Sequence, residues 1–77
     1  MEQTMTKEQR FLIQNRVQRL IRFVIQDLEV PILEAFDIVY NSQLYERLVD
    51  LETGMYYQSA VHLYSYLKRE LKTGTLA

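Results

Sequence analysis

Ile13, Val17, Leu20, Ile21, Val24 and Leu28 recur at intervals of three and four residues, the longest periodic run in the chain. That spacing lays one apolar stripe along an α-helix, with Asn15, Arg16, Arg19, Arg22 and Gln26 assigned to the opposite side. Thr6 suits the N-cap, and Gln9 three residues later completes a capping-box pattern. A helix from Thr6 to about Gln26 would be roughly 30 Å long at 1.5 Å per residue. In a chain of 77 residues the remaining elements must fold back along it, because an isolated stripe has nothing to bury against.

The rest of the sequence supplies those elements. Asp27 to Val30 breaks the first pattern, and Pro31 fits the first turn of a new helix, where a missing N–H costs nothing. Ile32, Leu33, Phe36, Val39 and Tyr40 define its predicted inner face, with Glu34 and Asp37 outward. Asn41 and Ser42 read as a stop followed by a fresh cap, and Leu44, Leu48 and Leu51 mark a short third helix. Glu52-Thr53-Gly54 is the strongest turn signal, since glycine takes a positive φ without steric cost. Met55 to Gln58 is expected as a short extended segment because of its adjacent tyrosines. Ser59 caps a last helix with Ala60, Leu63, Tyr64, Leu67 and Leu71 inward; Lys68, Arg69 and Lys72 complement its C-terminal dipole. Every helix is amphipathic, so the expected fold is all-α: a single domain over residues 1–77, a small bundle of three to four helices with a long first helix. Residues 1–5 and 73–77 are expected to be frayed tails.

Composition excludes much chemistry. The chain has no cysteine, one histidine and two glycines. Thiol nucleophiles, cysteine-based metal sites, Walker loops and dinucleotide glycine patterns are therefore excluded. His62 falls off the Leu63–Leu67–Leu71 face and has no nucleophile or orienting group in a recognisable motif, so no catalytic residue is assigned. Asp27/Glu29, Glu34/Asp37 and Asp50/Glu52 match no calcium loop, and no metal or cofactor is expected. The chain is read as a non-enzyme. No apolar run reaches the roughly 18–20 residues that cross a bilayer, and Met1 to Arg10 lacks the pattern of a signal peptide. A cytoplasmic protein without membrane contact is the expectation.

Charge is unevenly placed although the net value is −1. Residues 1–26 carry five bases against two acids, and residues 27–77 carry four bases against eight acids. Leu12 and Phe23, eleven residues apart, project in nearly the same direction as Arg16 and Arg19. They are read as a second, mixed face of the first helix, suited to protein contact. Tyr56, Tyr57 and Tyr66 join them as candidate contact residues, because tyrosine combines apolar area with a polar tip. The alternative is a nucleic-acid-binding regulator that places Arg16, Arg19 and Arg22 on phosphates.

The stretch Glu34-Ala35-Phe36-Asp37-Ile38-Val39-Tyr40-Asn41-Ser42, then Leu48, Glu52-Thr53-Gly54, Tyr56, Ser59, Tyr64, Leu67 and Lys68-Arg69-Glu70-Leu71, resembles a group of small uncharacterised bacterial helical proteins associated with toxin–antitoxin-like loci. The resemblance covers about residues 10–71, and its motifs are structural. It implies a partner-binding role and transfers no functional residue. The expected function is thus a helical protein–protein interaction module that self-associates or pairs with another protein.

Overall fold

The computed structural model describes residues 5–74, which form four α-helices: α1 (Lys7–Leu28), α2 (Ile32–Tyr40), α3 (Gln43–Val49) and α4 (Ala60–Thr73). Two 3-10 turns, Leu51–Thr53 and Met55–Tyr57, join α3 to α4. The all-α bundle with a long first helix is what the periodicity predicts. Expected fraying at residues 1–4 and 75–77 lies outside the described residues. Met5, by contrast, packs against the core, and Thr73 is the last residue of α4.

The caps are local and match the sequence. Thr6 Oγ1 accepts the Gln9 N–H at 3.0 Å and Gln9 Oε1 accepts the Thr6 N–H at 2.9 Å, closing the capping box. Ser42 and Ser59 cap α3 and α4 through the N–H groups of Tyr45 and His62. Pro31 sits one position earlier than expected, as the N-cap of α2, and its carbonyl accepts the Ala35 N–H. α1 ends on Glu29 in the left-handed region at φ 53°. Gly54 takes φ 67°, which closes the first 3-10 turn and opens the second.

One core runs through the bundle. Leu20 and Val24 of α1, Ala35 and Val39 of α2, Leu44 and Leu48 of α3, and Leu63 and Leu67 of α4 are almost wholly removed from water. The Met55–Gln58 segment is not extended. Met55–Tyr57 forms a 3-10 turn that drives Tyr56 into the core, where its hydroxyl accepts from Gln9 Nε2 at 2.9 Å. A phenol buried that deeply needs a polar partner, and the helix carrying the capping box supplies it.

Glu70 was not anticipated. It is buried on α4, and its carboxylate accepts the N–H groups of Gln43 at 2.7 Å and Leu44 at 3.1 Å. With Ser42 Oγ on the Tyr45 N–H and the Ser42 N–H on the Val39 carbonyl, all four orphan donors at the start of α3 are satisfied. The negative charge also faces the positive end of the helix dipole.

The predicted faces need correction in two places. Leu28 and Leu71, assigned inward, are exposed because they lie at the ends of α1 and α4, where the bundle tapers. In α2 the phase itself is different. Ala35 and Val39 face the core, while Ile32, Leu33, Phe36 and Tyr40 are 57%, 77%, 38% and 45% exposed. Seven of the nine α2 residues are apolar, so several phases satisfy the periodicity. The small Ala35 side chain decides among them, because it lets α2 approach α1 closely.

Leu67→Ala should lower stability by about 2–5 kcal/mol through cavity formation, read as a shift in the urea midpoint. At Gly54 a Cβ would meet nothing within 4 Å, so any cost of Gly54→Val is conformational and should be about 1–2 kcal/mol, with Gly54→Asn recovering most of it. Glu70→Ala should cost about 1–3 kcal/mol by stranding the α3 donors, and Glu70→Gln should also lose stability, since its amide oxygen accepts from only one of the two N–H groups and its NH2 faces the other. Wild-type stability in both Glu70 variants would show that the carboxylate does not hold α3.

Candidate functional site

The second face expected on α1 is largely occupied within the molecule. Phe23 packs on Tyr64 of α4 with ring centroids 5.2 Å apart, and Leu12 is half-buried against the core. Arg16 donates its Nε–H to the Gln58 carbonyl at 2.6 Å and an Nη1–H to Asn15 Oδ1 at 2.8 Å. Arg16 therefore closes the end of the second 3-10 turn, where a carbonyl would otherwise lack a donor. Arg19 and Arg22 are exposed. The physical reason is that α1 is central: α2, α4 and the Met55–Tyr57 turn all pack on it, so it buries far more than one stripe.

The candidate tyrosines fare differently from one another. Tyr56 is core. Tyr57 is exposed, its ring 4.4 Å from that of Tyr56, and the Tyr56 hydroxyl and charge hold the Tyr57 phenol above its ordinary pKa. Tyr66 is half-buried, with its hydroxyl 3.0 Å from Nε2 of the exposed His62. Tyr64 donates to Asp27 Oδ2 at 2.8 Å, and partial burial, then that hydrogen bond, raise its pKa well above the usual tyrosine range. A raised phenol contributes stability that is fully present below the unfolded value near 10 and declines as pH rises beyond it. In an absorbance titration, Tyr64→Phe should remove the latest-ionising phenol; loss of a phenol that ionises in the ordinary tyrosine range would show that the Asp27 contact does not form.

An open cleft of about 630 Å³ lies on the other side of α1, between α1 and α2. Its α1 wall is Ile13, Val17, Ile21 and Ile25; its α2 wall is Ile32, Phe36 and Tyr40; and Tyr45 of α3 stands at one end. The α2 wall is an ordered aromatic row. Phe36 stacks on Tyr40 at 5.9 Å and 14°, and Tyr40 meets Tyr45 edge-on at 4.9 Å and 65°. Gln14, Gln18 and Arg22 form the α1 rim. None of the expected contact residues lines this cleft. The signal was present in the composition of α2, since a nine-residue helix with two polar residues cannot hide every apolar side chain on one core face.

Ile32→Gln and Leu33→Gln should each change folding stability by no more than about 0.5 kcal/mol, because their side chains already face water. A loss comparable to that of Leu67→Ala would place them in the core and abolish the cleft as a free surface.

Among the described residues, no three of His, Cys, Asp and Glu are grouped so as to hold a metal ion. Nor, among the described residues, is any helix long and apolar enough to cross a membrane. The site is an apolar cleft with a polar rim. Comparison of the chain with protein-family models, with curated proteins and with solved structures finds no match.

Proposed function

We propose that this chain is a small cytoplasmic protein–protein interaction module, without catalytic activity, whose contact surface is the α1–α2 cleft. The observation that supports this most is the apolar α2 row, with Leu33 more than three-quarters exposed beside Ile32, Phe36 and Tyr40. Contiguous apolar surface rimmed by polar residues is the mark of a contact site, whereas single exposed hydrophobics are ordinary. The resemblance to bacterial proteins of toxin–antitoxin-like loci points the same way, toward a partner polypeptide. The nucleic-acid alternative keeps the exposed Arg19 and Arg22 but loses Arg16, whose guanidinium is engaged with Gln58.

A photo-crosslinking phenylalanine analogue placed at position 36, and at the exposed position 61 on α4 as control, tests this reading in the native cells. We expect a polypeptide adduct at position 36 that is absent at 61 and is lost when Leu33→Asp is added. An adduct removed by nuclease, or no polypeptide adduct at position 36, would overturn it.

A further inference from the structure

We propose that the occupant of the α1–α2 cleft is α2 of a second copy of this chain, in a two-fold dimer that pairs Arg22 of each copy with Asp37 of the other. The inference rests on the reading of the cleft as a protein-contact surface and names its partner.

The cleft requires a helix with an apolar row of limited width, and α2 is such a helix. Its exposed residues Ile32, Phe36 and Tyr40 follow one another at steps of four, and Leu33 lies next to them. The same row is one wall of the cleft. A surface that is at once wall and ridge is self-complementary, which is the property an isologous two-fold interface needs.

Charge placement supports the same occupant. Successive residues of a helix turn by 100°. With Ala35 and Val39 toward α1 and the core, Asp37 falls just beyond Leu33, on the flank of α2 away from its own α1, and Glu34 lies further round. Both acids are exposed. Arg22 is the one charged residue lining the cleft, on the α1 rim. A two-fold axis running along the helix pair seats each α2 in the other copy's cleft. Each α2 then has its own α1 on one flank and the second copy's α1 on the other. The acidic flank therefore meets the rim that carries Arg22, twice by symmetry. A helix with basic flanks would meet like charge there. The strip along the whole of α2, together with the cleft walls, is on the order of the several hundred Å² per partner that small-protein interfaces bury.

Molar mass by light scattering and sedimentation, on the purified chain from about 1 to 100 µM, tests the proposal. The wild type should be a dimer at the upper concentrations. Leu33→Asp should abolish it, and Arg22→Asp or Asp37→Arg alone should weaken it about tenfold or more by juxtaposing like charges. An equimolar mixture of Arg22→Asp and Asp37→Arg should restore association to near the wild-type level, since the mixed dimer keeps one native Arg22–Asp37 pair and forms the other with its charges exchanged. Far-UV circular dichroism keeps the reading independent of folding, and the two charge variants alter only exposed polar positions. A wild type that stays monomeric at 100 µM would overturn the proposal, as would a dimer indifferent to all three substitutions. In the first case a position-36 adduct to a foreign chain would leave the interaction reading intact, so the two failures are distinguishable.

Discussion

The carboxylate of Glu70 on the backbone of α3 is the contact on which the arrangement of the other elements depends. α3 has only seven residues, far too few to be stable alone. Its first N–H groups would be orphaned in a partly buried corner, and Glu70 reaches across 26 and 27 residues of sequence to accept two of them. In doing so it ties the end of α4 to the start of α3. That bond sets the register in which Leu44 and Leu48 meet Leu63 and Leu67. It also holds the Asn41–Ser42 corner, where Ser42 donates to the Val39 carbonyl while accepting from Tyr45. One carboxylate side chain thus joins α4 to α3, at the end of α3 where the helix dipole favours an acid.

What the amino-acid order disclosed, and what it did not, divides by distance along the chain. The caps at Thr6, Ser42 and Ser59 and the positive φ at Gly54 were legible because donor and acceptor lie within a few residues. The α1 stripe was legible because alternating polar and apolar residues leave one admissible phase. α2 offered no such contrast. Glu34 and Asp37 exclude one side only, and the choice among the others belongs to Ala35, whose importance is its lack of volume. Periodicity counts apolar residues and gives small ones little weight. Glu70 was hidden among Lys68, Arg69 and Lys72, where a charged residue reads as solvated surface.

The same division explains why the candidate contact residues shifted. Leu12, Arg16 and Phe23 do form a second face of α1, as the spacing implies. Its partners are internal: the Gln58 carbonyl holds Arg16, and the Tyr64 ring covers Phe23. A face unaccounted for by one helix's own stripe is equally a seat for another helix, and spacing alone does not say which. Tyr56 shows the converse. Its phenol reads as an amphipathic surface group, yet the turn after Gly54 sends it inward because Gln9 is positioned to donate to its oxygen.

The connector between α1 and α2 has a consequence for how the cleft works. Only Glu29, Val30 and Pro31 separate the two helices. Glu29 is held in the left-handed region with its N–H bonded to Ile25, and the proline ring fixes a second backbone angle. A joint so short and so constrained gives the two walls little independent freedom, and Ala35 and Val39 lock them from beneath. The cleft exists before anything enters it. Association there need not order a loop or close a hinge, so the entropic toll that accompanies coupled folding is largely absent. Selectivity must then come from the fit of the incoming side chains rather than from rearrangement of the receiving surface.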